Sequence, residues 1–382
     1  MASIIDTENL LIGAGPSGLA VAGCLTQAGT PFTIIEAAAD VGHSWRNHYD
    51  RLHLHTVKEE SHLPGLPFPA ATPRYPSRQD VVDYLAGYAA HFDIRPRFDC
   101  AAAHIDRDGD RWVTRTSDGD SYRARNVVIA TGLNRVPRRP DWPGLATTTL
   151  PVTHSRDYRN GAQLAGQRVL VVGMGNTGAE IALDLVEHGA RPTLAVRGPV
   201  NVVRRDSFGL PVQKTALKLQ RLPPGIADRV GRVLQRLTVG SLEPWGIQKP
   251  AMSPVIQLKT TGQTPVIDIG TVDAIRRGDI AVRPGLRAFH DSEIEFTDGT
   301  REAFDHIVLA TGYGAELEAL VDESRDLQDE RGYLAGIAGN GRTRGLYFVG
   351  FCVYEAGGIL RSIRRDAQLV ADSIINGAGR AA

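Results

Sequence analysis

The sequence predicts an α/β protein built from two similar parallel-sheet units, the second inserted into the first. Three observations carry that expectation. Two Gly-x-Gly-x-x-Gly loops occur, Gly13-Ala14-Gly15-Pro16-Ser17-Gly18 and Gly173-Met174-Gly175-Asn176-Thr177-Gly178. Each lies between a short apolar run (Leu10-Leu11-Ile12; Val169 to Val172) and a helical apolar period (Leu19, Val21, Ala22, Leu25; Ile181, Ala182, Leu185, Val186). Finally, the run Val127-Val128-Ile129-Ala130-Thr131-Gly132 returns as Ile307-Val308-Leu309-Ala310-Thr311-Gly312. The order loop, Ala-Thr-Gly, loop, Ala-Thr-Gly is an internal duplication. At 382 residues the chain exceeds one typical core, which agrees with two domains.

The loops carry a mechanism. Gly13 and Gly173 permit a tight turn, Gly15 and Gly175 let backbone approach a pyrophosphate, and Gly18 and Gly178 let helix pack on strand. Pro16 and Ser17, and Asn176 and Thr177, then open helices whose free N–H groups and positive dipole ends suit phosphate. The strand–turn–helix context is the one a dinucleotide fingerprint needs. The fold class is therefore α/β with two Rossmann-like dinucleotide-binding domains.

Residues 9–36 read as strand, turn, helix and strand, with Glu36 ending the second strand. A carboxylate there grips a ribose diol and repels a 2′-phosphate, so the first site suits FAD or NAD rather than NADP. Residues 37–76 have little regular pattern, and a stretch of that length in a compact domain is usually functional. Ser77 to Asp80 reads as a helix N-cap, and Val81, Tyr84, Leu85, Tyr88 and Phe92 place a helix over 78–92 with its aromatics in the core. Short strands with turns at Asp108-Gly109 and Asp118-Gly119 follow, and the second turn is echoed at Asp298-Gly299.

In the second unit the strand Thr193 to Val196 ends in Arg197, where the first unit has its acid. A planar guanidinium suits a phosphate, so this site is expected to take NADPH, with Arg197 on the 2′-phosphate and Arg204 or Arg205 as further donors. Residues 214–245 alternate apolar side chains with Arg221, Arg229, Arg232 and Arg236 and break at Pro223-Pro224. They read as a helical pair covering the interdomain cleft, with membrane-surface binding as the sharper alternative. Leu346 to Val349 is the last strand and Asp366 to Ile375 the last helix, both returning to the first domain. The expected domains are 1–161 for the first part of the FAD domain, 162–300 for the NADPH domain with its 214–245 excursion, and 301–382 for the return.

Bulk properties exclude several classes. Basic and acidic residues balance at 43 each, so no nucleic-acid partner is expected. Cys24, Cys100 and Cys352 are odd in number and scattered, which disfavours a disulfide framework, a zinc site or a dithiol motif. Met1 to Glu8 has no basic region, and glycines and Pro16 interrupt the apolar stretch from Leu10 to Leu25. Neither a signal peptide nor stable membrane insertion is expected, and the cytoplasm is the expected compartment.

Longer motifs bear a resemblance. Gly13 to Ala20, Trp45, Leu66-Pro67-Phe68-Pro69 and Asp83-Tyr84-Leu85 resemble class B flavin-containing monooxygenases. Tyr49 to His55, Gly173 to Glu180 and, above all, Thr264-Pro265-Val266-Ile267-Asp268-Ile269-Gly270 look like the YUCCA branch, which converts indole-3-pyruvate to the auxin indole-3-acetate. The likeness spans about 9–375. It departs in one signature, where His154 and Tyr158 stand but Thr148 and Leu150 replace Phe and Gly, and again at Cys352-Val353-Tyr354-Glu355.

The resemblance implies FAD on the first loop, NADPH on the second, O₂, and a small-molecule substrate. It implies a flavin C4a-(hydro)peroxide as oxidant, which attacks a 2-oxo acid when deprotonated and an amine or sulfide when protonated. It makes His55 the catalytic candidate. It adds Ser44, Trp45, Leu54, Thr131, Gly132, Thr311, Gly312 and Gly350 to the cofactor-binding residues Gly13, Gly15, Pro16, Ser17, Gly18, Glu36, Gly173, Gly175, Asn176, Thr177, Gly178 and Arg197. Two other readings stand beside aryl-2-oxo acid oxidation: N- or S-oxygenation of a small molecule, and an NADPH-dependent flavoprotein reductase serving an electron carrier.

Overall fold

The computed structural model describes residues 3–378. The first sheet begins with β1 (Ile4–Ile12), which runs through the glycine loop into α1 (Pro16–Gln27) and returns as β2 (Thr33–Ile35), parallel to β1. The irregular stretch that follows contains only two one-turn helices, α2 (His43–Arg46) and α3 (Lys58–Ser61). Then comes α4 (Arg78–His91), one residue shorter than the helix expected over 78–92. Its start is a reciprocal cap: the Asp80 N–H donates to Ser77 Oγ at 3.1 Å, and the Ser77 N–H donates to the Asp80 carboxylate at 2.8 Å. Such a cap contributes about 1 kcal/mol.

The aromatic face of α4 is core, as expected. Tyr84 and Tyr88 donate their hydroxyls to Leu66 O and Pro64 O, both at 2.7 Å, so the same side chains also hold down the proline-rich stretch. Tyr88 lies so close to α1 that a Cβ on Gly23 would sit 2.2 Å from its hydroxyl oxygen.

β3 (Ala102–Asp108), β4 (Arg111–Thr116) and β5 (Ser121–Ile129) form an antiparallel meander whose last strand lies parallel to β1. The chain then crosses through β6 (Val136–Pro137) and β7 (Val152–His154) to β8 (Arg168–Val172), α5 (Asn176–Glu187) and β9 (Arg191–Val196). An excursion follows: β10 (Val202–Arg204), a hairpin of β11 (Asp206–Ser207) and β12 (Leu210–Pro211), then α6 (Val212–Leu219), α7 (Pro224–Thr238) and α8 (Pro254–Thr261). β13 (Val266–Asp268), α9 (Thr271–Arg277) and β14 (Ala281–Pro284) lead to a small antiparallel sheet of β15 (Leu286–His290), β16 (Glu293–Phe296) and β17 (Arg301–Ala303). The chain closes with β18 (His306–Leu309), β19 (Tyr313–Gly314), β20 (Leu346–Phe348) and α10 (Ile359–Ala378).

The second sheet is wholly parallel, in the order β14-β9-β8-β18-β7. This moves the boundaries expected at 162 and 300, because β7 and β18 lie outside them yet pair within this sheet. The reason is the duplication itself: the strand before each Ala-Thr-Gly pairs with the strand before its own glycine loop, β5 with β1 and β18 with β8. The crossings are β6 and β19, which pair antiparallel through Tyr313–Pro137 and Gly314–Val136. β20 then joins β5 and α10 packs on α1, so the return to the first sheet is as expected. α10 starts seven residues before the expected Asp366, since its buried period extends back through Ile363 and Leu360.

The duplication holds at the level of single bonds. Gly13 N donates to Ile35 O at 2.8 Å and Ala130 N to Ile12 O at 2.9 Å; Gly173 N donates to Ala195 O and Ala310 N to Val172 O, both at 3.0 Å. One difference lies in the strand before Ala-Thr-Gly: β5 runs unbroken for nine residues, whereas in the second unit β17 and β18 are separate strands.

Candidate active site

A cleft of about 1030 Å³ runs from the first glycine loop to the α6–α8 excursion. Gly13, Gly15, Pro16, Ser17, Glu36, Ser44, Trp45, His55, Thr131, Gly132 and Gly350 form part of its walls. The three glycine roles are visible in space. A Cβ on Gly13 would lie 2.7 Å from Ala130 O, and one on Gly18 would lie 1.8 Å from Gly13 O. Gly15 faces open space, with no atom within 4 Å of where a Cβ would stand. The second loop repeats this: 2.7 Å at Gly173, 1.9 Å at Gly178 and nothing at Gly175. α1 and α5 also lack a side-chain cap, so their first-turn N–H groups are left to a ligand or water.

The groups around the first loop suit a dinucleotide. Thr131 Oγ1 is buried with no hydrogen-bond partner among the described residues. Glu36 Oε2 accepts the Ala14 N–H at 2.6 Å and Oε1 accepts the Ala38 N–H at 3.0 Å, which fixes the carboxylate at the cleft wall. Gly350 is at φ +89°, and a Cβ there would meet Ser17 Oγ at 2.2 Å. Gly42 N donates to Ala14 O at 3.0 Å and so hangs α2, with Ser44 and Trp45, from the loop.

His55 is brought to a partner from the other unit. Its Nε2 lies 2.7 Å from Glu180 Oε1 on α5, and Glu180 is 1% exposed with its second oxygen, Oε2, unpartnered among the described residues. Nearby in the wall, burial together with Arg156, Arg78 and Arg159 pushes His48 down to about 4, so that ring is neutral at pH 7. Arg135 and Arg156 supply positive charge, while Leu210, Leu234, Leu258 and Val353 supply apolar wall.

The family follows from comparison. Residues 10–215 match the pyridine nucleotide-disulphide oxidoreductase family. By fold alone, the chain is similar both to a flavin-containing monooxygenase from Stenotrophomonas maltophilia (22% identity, TM-score 0.74, 98% of this chain and 99% of that one) and to a bacillithiol disulfide reductase from Bacillus cereus (19%, 0.70, 97% and 99%). Sequence decides between them. A rice protein named indole-3-pyruvate monooxygenase YUCCA1 (Oryza sativa subsp. japonica) is 40% identical over 349 residues, 90% of this chain and 86% of its own. The chain belongs to the YUCCA branch of the class B flavin-containing monooxygenases. It is a flavin-dependent monooxygenase that uses FAD and NADPH.

Not every residue named from sequence stands in the cleft of this monooxygenase. Leu54 is buried core, and Gly18 lies beneath the loop. Gly173, Gly175, Asn176, Thr177, Gly178, Thr311, Gly312 and Arg197 are outside the cleft walls. Asn176 spends its side chain on the protein, accepting the Ile267 N–H at 2.7 Å, and so ties the second loop to the 264–267 wall. Thr311 donates its hydroxyl to Arg138 O. Arg197 is exposed at the end of β9 with no hydrogen bond or ion pair among the described residues. Arg204 is not available to a 2′-phosphate as expected. Asp268, whose side chain is fully buried, holds it at 2.7 Å, and Asp273 holds it at 2.7 and 2.9 Å. Arg205 stacks on Tyr75, 4.1 Å from the ring centroid.

The stretches where the sequence departs from the family have definite places. Tyr158 donates to Asp184 Oδ2 at 2.6 Å, and burial with that contact holds its phenol far above the ordinary range. Cys352, Val353 and Glu355 line the cleft. Sequence reasoning missed Glu180, His48 and Arg156 as site residues. Arg156 carried a signal, lying between His154 and Tyr158, and Glu180 closes the second loop motif.

Proposed function

We propose that this monooxygenase carries out the oxidative decarboxylation of an aryl-2-oxo acid such as indole-3-pyruvate. The net reaction consumes the 2-oxo acid, O₂, NADPH and a proton, and yields the acid shortened by one carbon, CO₂, water and NADP⁺. The observation that carries this reading is the 40% identity, over 90% of the chain, to a protein named for indole-3-pyruvate.

In this reading FAD lies on the first loop and NADPH on the second, with Glu36 at the FAD ribose and Arg197 at the 2′-phosphate. FAD, when bound and reduced by NADPH, supplies the activation of O₂. The chain's own residues do the rest. Arg135 and Arg156 give the substrate carboxylate a cationic wall, and the apolar side chains opposite receive its ring. The Glu180 carboxylate accepts the Nε2 proton of His55 at 2.7 Å, which fixes the orientation of the ring and leaves Nδ1 for proton exchange. Held in this way, the His55 ring in the cleft wall is placed to hold or pass a proton at the reacting atoms.

The test is product analysis by mass spectrometry with NADPH and O₂ consumption followed in parallel. Indole-3-pyruvate is expected to give indole-3-acetate in step with NADPH. Peroxide release without acetate, alongside tight coupling with an amine or sulfide, would select oxygenation at N or S instead. Reduction of an electron carrier without O₂ uptake would select the reductase reading.

A further inference from the structure

We infer that α7 and the hairpin before α6 form a docking surface for an anionic lipid bilayer, with the mouth of the cleft turned toward it. The helix has three faces. One packs on the protein: Ala227 is buried, and Gln235 Nε2 donates to Asn201 Oδ1 and Val202 O, both at 3.0 Å. The second carries Ile226, Val230, Val233 and Leu237, at spacings of four, three and four, so they form one stripe along the helix. All four are between 36% and 69% exposed. The third carries Arg229, Arg232 and Arg236, all exposed.

The hairpin extends the stripe's character, with Phe208 at its tip 76% exposed and Leu210 beside it 48% exposed. Phe208, Leu210 and Val230 also line the cleft, so the apolar surface borders its mouth. The helices therefore cover the cleft, as the sequence suggested, and α7 keeps an outward apolar face beyond what that role uses.

Charge selects the occupant. Across 207–242 there are six cations, Lys214, Lys218, Arg221, Arg229, Arg232 and Arg236, against a single acid, Asp228, although the whole chain is balanced at 43 and 43. A second copy docking by a two-fold axis would set this basic patch against itself. A face of four aliphatic side chains offers no polar group to fix a protein partner's register. An anionic bilayer meets both features: the stripe enters the acyl boundary and the arginines reach the phosphates. Aryl compounds that partition into that layer would then stand at the cleft mouth.

The test uses the full-length, FAD-loaded protein in sedimentation with vesicles of phosphatidylcholine, with and without phosphatidylglycerol. Binding is expected only with the anionic lipid, and it should weaken as salt is raised. The double variant Val233→Glu/Leu237→Glu lies outside the cleft wall. It should keep its FAD content and NADPH oxidation while vesicle binding falls by about tenfold or more, since each residue loses its apolar burial. Arg229→Glu and Arg236→Glu should each lower binding by about fivefold. Three results would overturn the proposal: equal sedimentation with neutral vesicles, variants that bind like the parent, or a parent dimer that the variants dissociate while neither form binds vesicles.

Discussion

His55 Nε2 and Glu180 Oε1 stand 2.7 Å apart although 125 residues separate them in the chain. His55 follows the first glycine loop, and Glu180 stands two residues past Gly178 on the helix that the second loop opens. The pair joins the two loop units, with His55 in the cleft wall. Glu180 is 1% exposed, so the contact with His55 is made away from solvent.

Glu180→Gln tests that relationship. An amide can donate to Nε2 and so moves the ring proton to Nδ1, the opposite of what the carboxylate does. The variant should retain FAD, while product formed per NADPH oxidised falls by about tenfold or more. The pH profile of coupling should change as well. A parent-like yield and profile would mean that Glu180 only fills space.

Gly15 and Gly18 should respond to alanine in opposite ways. Gly18→Ala brings a Cβ to 1.8 Å from Gly13 O, against backbone that cannot yield, and overpacking of this kind costs about 3 kcal/mol. Gly15→Ala meets no protein atom within 4 Å, so the melting temperature of the cofactor-free protein should hold while flavin content on purification drops. Thermal melts and flavin absorbance read the two effects. Equal flavin content in Gly15→Ala and the parent would remove the phosphate-approach role.

Arg197→Glu should shift the ratio of kcat/KM for NADPH over NADH toward NADH by about 10- to 100-fold, the worth of a charge-assisted hydrogen bond. Arg204→Ala is the contrast. Its guanidinium is held by Asp268 and Asp273, so its loss should lower stability by leaving buried Asp268 without its cation, and leave the coenzyme ratio in place. An unchanged ratio in Arg197→Glu would return the 2′-phosphate to another residue, with Arg205 next in line.

His48 gives a pH dependence with a definite sign. Its folded value is pushed down to about 4 from the ordinary 6.5, chiefly by burial and then by Arg156, Arg78 and Arg159. Above 6.5 both folded and unfolded rings are neutral and its contribution to stability is complete. As pH falls from 6.5 to about 4 the unfolded chain takes a proton that the folded one refuses, so stability is lost through that window. Urea denaturation midpoints at pH 7.5 and at pH 5 should differ less in His48→Gln than in the parent. Equal differences would exclude His48 as the titrating group.

Much of the fold was legible because its signals are local. Ser77 and Asp80 cap α4 three residues apart, and the Tyr84–Tyr88 spacing gives its buried face. The domain boundaries were read too tightly. β7 and β18 enter the second sheet by pairing with strands far away in sequence, and no residue near 162 or 300 records that pairing. Arg204 looked available because its cation is visible in the sequence, whereas its partners Asp268 and Asp273 are more than sixty residues away.

Taken by itself, the sequence determined the paired glycine loops, the Ala-Thr-Gly strands that close each unit, and the acid and arginine that end the second strand of each. These are short-range rules, set by where a Cβ collides with backbone and where helix N–H groups go unpaired, and a few neighbouring residues suffice to state them. The tertiary structure decided which side chains meet: His55 with Glu180, His48 among three arginines, and a helix left with an apolar face outward. Those outcomes depend on how elements pack across the molecule, and packing joins residues whose local patterns carry no record of one another.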